Sequence, residues 1–320
     1  MKKVLFIDTT HPALPEGLEK LGFQCDYFPG YQRADFKRII GDYEGVIIRS
    51  KIKLDREMLA EAKNLRFIGR VGAGMENIDV AFAEKQGIHC LNAPEGNRSA
   101  VGEHAIGMLL MLFNNLKKGD AEVRRGLWLR EENRGIEIEG KTVGIIGYGH
   151  MGSAFAEKIS GFGARVIAYD KYKSGFSGRF VTEVSLEDIF EQTDILSLHV
   201  PLTEETLFMV NREFLEKFKK NIWVINTSRG KVLKTADLVT ELKSGKVKGA
   251  CLDVLEYEGL SFENLDAKAL PEAFSQLIKM ENVILSPHVA GWTHESNRKL
   301  AATIVRKVEA LLKKKESIAR

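Results

Sequence analysis

Only three cysteines occur in the chain, Cys25, Cys90 and Cys251, far apart and outside any metal-ligand spacing. They give no disulfide framework and suit a reducing cytosol. Long apolar runs are missing too. The longest uncharged one, Ala105 to Phe113, has nine residues, against the ~20 that a membrane helix needs. The start Met1-Lys2-Lys3 followed by Val4 to Ile7 has the outline of a signal peptide, but Asp8 ends its apolar stretch. Neither export nor membrane insertion is expected, and a cytoplasmic location is. Blocks of like charge are also scarce: 47 basic residues stand against 44 acidic ones, a net of +3, with the signs interspersed. That balance argues against nucleic-acid or membrane-surface partners. The run Lys313-Lys314-Lys315 reads as a solvated helix end, where cations complement the helix dipole. No two histidines have the spacing of a metal pair on a helix, so no metal is expected.

What is present describes a folded globular chain. At 320 residues, 44% hydrophobic and 28% charged, it exceeds the usual size of one domain, and two are expected. Short apolar runs alternate with amphipathic stretches: VLFID near 4–8, FQCDYF at 23–28, GVIIRS at 45–50 and RFIGRVG at 66–72. The same grammar restarts with KTVGIIGYG at 141, ARVIAYD at 164, DILSLHV at 194, NIWVINTS at 221, VKGACLDV at 247 and NVILSP at 282. Strands alternating with helices imply parallel sheets covered on both faces, so the expected fold is α/β with two doubly wound domains. Between the two series, Arg98 to Lys118 is apolar on almost every side. Such a helix is buried all round, at a domain or subunit interface or, alternatively, as the central helix of one core. Glu295 to Leu312 is amphipathic, with Leu300, Ile304, Val308 and Leu311 on one face.

The strand KTVGII runs into Gly147-Tyr-Gly149-His-Met-Gly152, a helical pattern follows, and Asp170 ends the next strand, 21 residues beyond Gly149. A glycine triplet alone is weak, but strand, turn, helix, strand and acid in this order form a dinucleotide fingerprint. Gly147 permits the turn, Gly149 lets backbone approach a pyrophosphate, and Gly152 lets helix and strand pack. Helix-start amides then face the phosphates. Asp170 would accept hydrogen bonds from a ribose diol and repel a 2′-phosphate, favouring NAD over NADP, with Lys171 and Lys173 softening that preference.

Three polar residues lie just beyond predicted strands: Arg229 after WVINTS, Glu258 after CLDV and His288 after VILSP. Strand carboxyl ends are where open α/β sheets place ligands. Singly each is unremarkable, since a histidine after a proline is ordinarily a satisfied turn residue. Together they supply what reduction of a 2-keto acid requires. Arg229 offers a planar fork to a carboxylate, His288 a proton donor and acceptor, and Glu258 an orienting charge that favours the imidazolium.

At this point the chain resembles the D-2-hydroxyacid dehydrogenase family. The motifs RVGAGMENID (70–79), NAPEGNRSAVGEH (92–104), GIIGYGHMG (144–152), HVPLTEET (199–206), INTSRG (225–230), LDVLEYE (252–258) and SPHVAG (286–291) follow its order and spacing. The resemblance implies a catalytic trio of Arg229, Glu258 and His288. It implies that His150, Met151, Val200, Thr227, Ser228 and Gly291 line an NAD molecule, that Asp253 meets the nicotinamide carboxamide, and that Gly72-Ala73-Gly74 offers amides to the substrate carboxylate. An ordinary alternative for Asp253 is a strand-end cap. The family also implies an NAD-binding Rossmann domain, 98–287, inserted into a flavodoxin-like substrate domain of 1–97 and 288–320, and a homodimer joined through the nucleotide domain and the long helix. Departures are Gly259 in place of a usual proline, Leu255 in place of a usual phenylalanine, and a longer span from Glu258 to Asn282 with an extra helical turn at 267–279.

Among family members, phosphoglycerate dehydrogenases resemble this chain at GVIIRS and GRVGAG, which supply Arg49, Ser50 and Arg70 near the carboxylate turn. Two arginines suit a phosphate, bound by charge-assisted forks, so 3-phosphoglycerate or its keto product is the expected substrate. Hydroxypyruvate or glyoxylate reduction is the alternative within the family. From a different class, an NAD(H)-sensing interaction protein would retain the same trio, because fold alone does not fix function.

Overall fold

The computed structural model describes residues 2–259 and 270–318, which gather into two compact units. Residues 2–97 and 292–318 form one; 98–259 and 270–291 form the other.

The first unit holds five parallel strands: β1 (Lys2–Phe6), β2 (Phe23–Tyr27), β3 (Gly45–Ile48), β4 (Phe67–Arg70) and β5 (His89–Leu91), in the order β2-β1-β3-β4-β5. The central strands read as continuous apolar runs because both faces are covered. Leu5, Val46 and Ile48 pack with Phe36, Ile40, Met58 and Leu59. On the other face Val4, Phe6 and Ile47 meet Leu14, Leu18 and the final helix, His294–Ile318. That helix buries the expected stripe, Leu300, Ile304 and Val308, with Leu311 packed at its margin. Gly69 makes the approach feasible, since a Cβ there would lie 3.0 Å from the Ile304 methyl.

The second unit has seven parallel strands: β6 (Thr142–Ile146), β7 (Arg165–Tyr169), β8 (Thr182–Glu183), β9 (Ile195–Leu198), β10 (Ile222–Asn226), β11 (Val247–Leu252) and β12 (Val283–Leu285). Their order is β12-β11-β10-β9-β6-β7-β8. The first sheet thus has the flavodoxin-type order, and the second the dinucleotide-binding order extended by one strand. Two doubly wound parallel sheets are therefore present, as the alternating pattern implied. β5, a three-residue edge strand with no buried residue, and β8, of two residues, escaped the pattern because neither makes an apolar run.

The long helix runs from Pro94 to Phe113, and a second, Leu116–Arg124, follows after Asn115 in the left-handed region. Pro94 suits a first turn, where its missing N–H costs nothing. Ala105, Ile106, Leu109 and Phe113 are buried in this unit's own core with Val143, Ile145, Phe155 and Ile225. Much of the apolar character is thus accounted for by packing within this unit, and those side chains are not available to a subunit interface. The units divide after Gly291, four residues beyond the boundary read from the sequence, because the Val289 and Ala290 amides are bonded to Asp253 beside β11. The expected extra helix lies at Glu272–Leu277; residues 260–269 of the long span lie outside the described residues. Among the described residues no helix is long and apolar enough to cross a membrane.

Candidate active site

In the second sheet the strand order reverses between β6 and β9, the position where such sheets bind ligands. Gly147 ends β6 with φ +92, and a Cβ on it would lie 2.6 Å from the His199 carbonyl and 3.0 Å from Val200 Cγ1. Only glycine meets both demands. Gly152 is as tightly constrained, its Cβ position lying 2.1 Å from the Gly147 carbonyl. Gly149 differs: nothing lies within 4 Å of its Cβ position, and it precedes the His150–Ile159 helix without capping it by a side chain. The open space at Gly149, the unpaired first-turn amides of the helix with His150 and Met151, and the buried Thr227 hydroxyl, which has no partner among the described residues, fit a dinucleotide. Ser228 by contrast spends its amide and hydroxyl on Asn226 Oδ1, at 3.0 and 2.7 Å.

Asp170 is fixed by the amides of Tyr148 (2.7 Å), Tyr172 (2.9 Å) and Lys173 (3.1 Å). The two lysines that could have softened its selectivity are engaged. Lys171 pairs with Glu205, and Lys173 donates to the Tyr148 carbonyl at 3.1 Å. A fixed carboxylate with its neighbouring cations occupied opposes a 2′-phosphate.

His288 and Glu258 meet: Nδ1 lies 2.6 Å from Oε2, and both side chains are largely buried. The other Glu258 oxygen accepts the Leu255 amide, which fixes the carboxylate. Arg229 follows β10, its carbonyl held by Asn226 Nδ2 at 3.1 Å and its Nη1 donating to the Ser228 carbonyl at 2.7 Å. The next residue, Gly230, packs so closely that a Cβ would lie 1.9 Å from the Leu255 carbonyl. The Arg229 loop is thereby pressed against the segment that leads to Glu258.

Asp253, buried beyond β11, organises the His288 turn. Its carboxylate accepts the Ser286 hydroxyl (2.6 Å) and the amides of Val289 and Ala290 (2.9 Å each), and its carbonyl accepts the His288 amide (2.7 Å). Gly291 follows directly. His288 has φ +54, a left-handed conformation costing a non-glycine residue roughly 1–3 kcal/mol that persists only where surroundings over-determine it. Here four hydrogen bonds do so. This is the strand-end cap, with both carboxylate oxygens in use.

His199, which opens the segment HVPLTEET, is pushed down to about 3 by burial. It contacts Ser197 Oγ at 2.8 Å and packs 5.3 Å from the Phe155 ring. Neutral at ordinary pH, it is structural.

In the first unit the order reverses between β1 and β3, and there the Arg49 amide donates to Asp8 Oδ2 at 2.6 Å. Burial pushes the Asp8 carboxyl up, against the pull of the amides of Arg49, Ser50 and Lys51. The Arg49 guanidinium lies 4.0 Å from the Trp292 ring centroid, a cation–π contact. Arg70 lies across the glycine turn: a Cβ on Gly72 would fall 1.3 Å from its Nη1. Asn92 Nδ2 holds the Ala73 carbonyl at 2.7 Å, and among the described residues the amides of Ala73 and Gly74 donate to no acceptor. Asp8, Asn92, Asn226, Ser286 and Trp292 were not read as site residues from the sequence. Only Asn226, opening Asn-Thr-Ser after a strand, carried a local signal, that of an Asx turn.

Residues 106–290 match the profile of the family described as D-isomer specific 2-hydroxyacid dehydrogenase, NAD binding domain. Over 97% of its length the chain is 33% identical to a D-3-phosphoglycerate dehydrogenase of Archaeoglobus fulgidus, of which it spans 57%. It is 34% identical to a hydroxypyruvate reductase of Thermotoga maritima over 87% of each chain. Its fold is similar to that of a D-lactate dehydrogenase from Aquifex aeolicus complexed with NAD and lactic acid, with a TM-score of 0.81, 27% identity, and 98% and 96% of the two chains covered.

Proposed function

The chain belongs to the D-isomer specific 2-hydroxyacid dehydrogenase family, and we propose on that premise that it is an NAD-dependent enzyme interconverting a small 2-hydroxy acid and its 2-keto acid. The contact of 2.6 Å between Glu258 and His288, in the unit that carries the dinucleotide glycine turn, supports this reading most directly. NAD, when bound, supplies or accepts the hydride. In reduction His288 gives a proton to the substrate's carbonyl oxygen; in oxidation it takes one from the hydroxyl. With Nδ1 committed to Glu258, that transfer falls to Nε2. Glu258 holds the ring's orientation, and Arg229 holds the substrate's carboxylate and polarises its carbonyl.

The first unit is read as the substrate domain and the second as the NAD-binding one. Ala73 and Gly74 offer amides to a carboxylate, and Arg49, Ser50 and Arg70 add charge and a hydroxyl suited to a phosphate. The substrate proposed is therefore 3-phosphoglycerate or its keto product. Hydroxypyruvate or glyoxylate reduction is a second reading, favoured by the 34% identity to a hydroxypyruvate reductase along 87% of both chains. We further propose a cytoplasmic location and a homodimer, as the family implies.

Steady-state oxidation of NADH and NADPH across phosphorylated and plain 2-keto acids tests these assignments. NADH and phosphorylated substrates should be preferred, and His288→Asn should lower kcat by about 10²- to 10⁴-fold, the usual worth of a general acid. Equal rates on hydroxypyruvate or glyoxylate, with no loss in Arg49→Ala, would assign the reductase activity instead. Tight NADH binding without turnover of any acid would remove the enzymatic reading.

A further inference from the structure

His104, on the Pro94–Phe113 helix, touches the network that shapes the His288 turn. Its Nε2 lies 2.9 Å from Ser286 Oγ and 3.5 Å from Asp253 Oδ1. Proton counting fixes the direction of these contacts. Ser286 has one hydroxyl hydrogen, and the shortest contact, 2.6 Å, runs to the Asp253 carboxylate, which can only accept. The Ser286 oxygen must therefore accept from His104, which requires a hydrogen on Nε2. A chain of donation results, from His104 to Ser286 to Asp253, and Asp253 in turn holds the amides of Val289 and Ala290 and, through its carbonyl, that of His288.

Without the Nε2 donor, the Ser286 hydroxyl is free to turn toward other acceptors, Met108 Sδ at 3.5 Å among them. One carboxylate oxygen of a buried aspartate would then lose its closest donor. The left-handed conformation of His288 depends on that aspartate, and a buried hydrogen-bond network is worth more than the sum of its pairs. We propose that His104 is a positioning residue for the reaction: it acts through Ser286 and Asp253 to keep the His288 turn in the conformation that proton transfer needs. The proposal rests on the dehydrogenase reading above.

Three proteins test it: the full chain, His104→Leu, and His104→Gln, whose amide nitrogen reaches the place of Nε2. Each is first checked for an unchanged thermal midpoint and NADH affinity. His104→Leu should lower kcat about tenfold with KM for NADH little changed, a modest misalignment of a catalytic group, and His104→Gln should recover most of the loss. A full-rate Leu variant, or a Gln variant as slow as Leu, overturns the proposal. Should the unmodified chain turn over no 2-keto acid, the dehydrogenase reading fails by itself. Nitrogen spectra of ¹⁵N-histidine-labelled protein then decide alone: the His288 ring signals should move in the Leu variant and stay in the Gln variant. Signals unmoved in both, or moved equally, reject the role.

Discussion

His199 illustrates how one side chain couples protonation to the whole fold. Its folded value is pushed down to about 3 by burial, while an unfolded histidine titrates near 6.5. Above about pH 6.5 neither state binds the proton and this residue adds no pH dependence. Below it the unfolded chain takes a proton that the folded imidazole refuses. Stability contributed by the neutral form is therefore lost progressively as pH falls toward 3, with a limiting slope of about 1.4 kcal/mol per pH unit. His199→Gln, which retains an amide for Ser197 Oγ but does not titrate, should flatten that decline. Urea midpoints measured for both proteins between pH 7.5 and 4.5 would check it, and parallel declines would remove His199 as a source. The residue lies in a motif beside the nucleotide turn, yet its role was invisible in the sequence: burial against Phe155 exists only after the chain has folded.

Elements built from local pattern were legible; elements fixed by contacts across the sheet were not. The β6–helix turn could be read because Gly147, Gly149 and Gly152 recur at a fixed spacing between a strand and a helix, and Arg229, Glu258 and His288 could be placed because each follows an apolar run. The Asp253 cap could not be resolved, because its partners lie more than thirty residues along the chain and no spacing rule connects them. The long helix was read as an interface for a similar reason, since periodicity reports that a face is buried without saying what buries it. The glycine turn yields a separation of roles. Gly152→Ala drives a methyl against the Gly147 carbonyl, 2.1 Å away, and should destabilise the unit by about 1–3 kcal/mol, as overpacking does. Gly149→Ala meets nothing in the protein. It should keep the parent's thermal midpoint while weakening NADH about tenfold or more, equivalent to about 1.4 kcal/mol, because the added methyl occupies the space proposed for pyrophosphate. Calorimetric melting and NADH fluorescence titration separate the two effects, and a Gly149→Ala protein binding NADH like its parent would place the phosphates elsewhere.

The whole molecule exposes its apolar surface unevenly. Of the thirteen large apolar side chains exposed among the described residues, seven fall between Met111 and Ile136, Trp128 being 77% accessible. Singly exposed leucines need no explanation, but so many apolar side chains within one short stretch of chain, three of them consecutive, are what a contact surface would present. This cluster is held in shape: Glu122, itself buried, accepts Asn133 Nδ2, and the Leu127 amide donates to the Glu122 carbonyl at 3.0 Å. The segment Leu127-Trp128-Leu129 is thus presented on a bonded loop, so its burial by a second copy would cost little ordering entropy. For the homodimer proposed above, this loop and the exposed side of the Leu116–Arg124 helix are the expected contact surface, the inner face of the long helix being packed in its own unit's core. Sedimentation equilibrium at micromolar concentration should return twice the chain mass of 35.9 kDa. Trp128→Glu combined with Leu127→Glu should return a folded monomer, since removing a buried tryptophan anchor costs an interface about 2 kcal/mol or more and the added charges repel across a two-fold contact. A dimer unaffected by both charges would move the interface to another surface, and a monomeric parent protein would leave the cluster without this role.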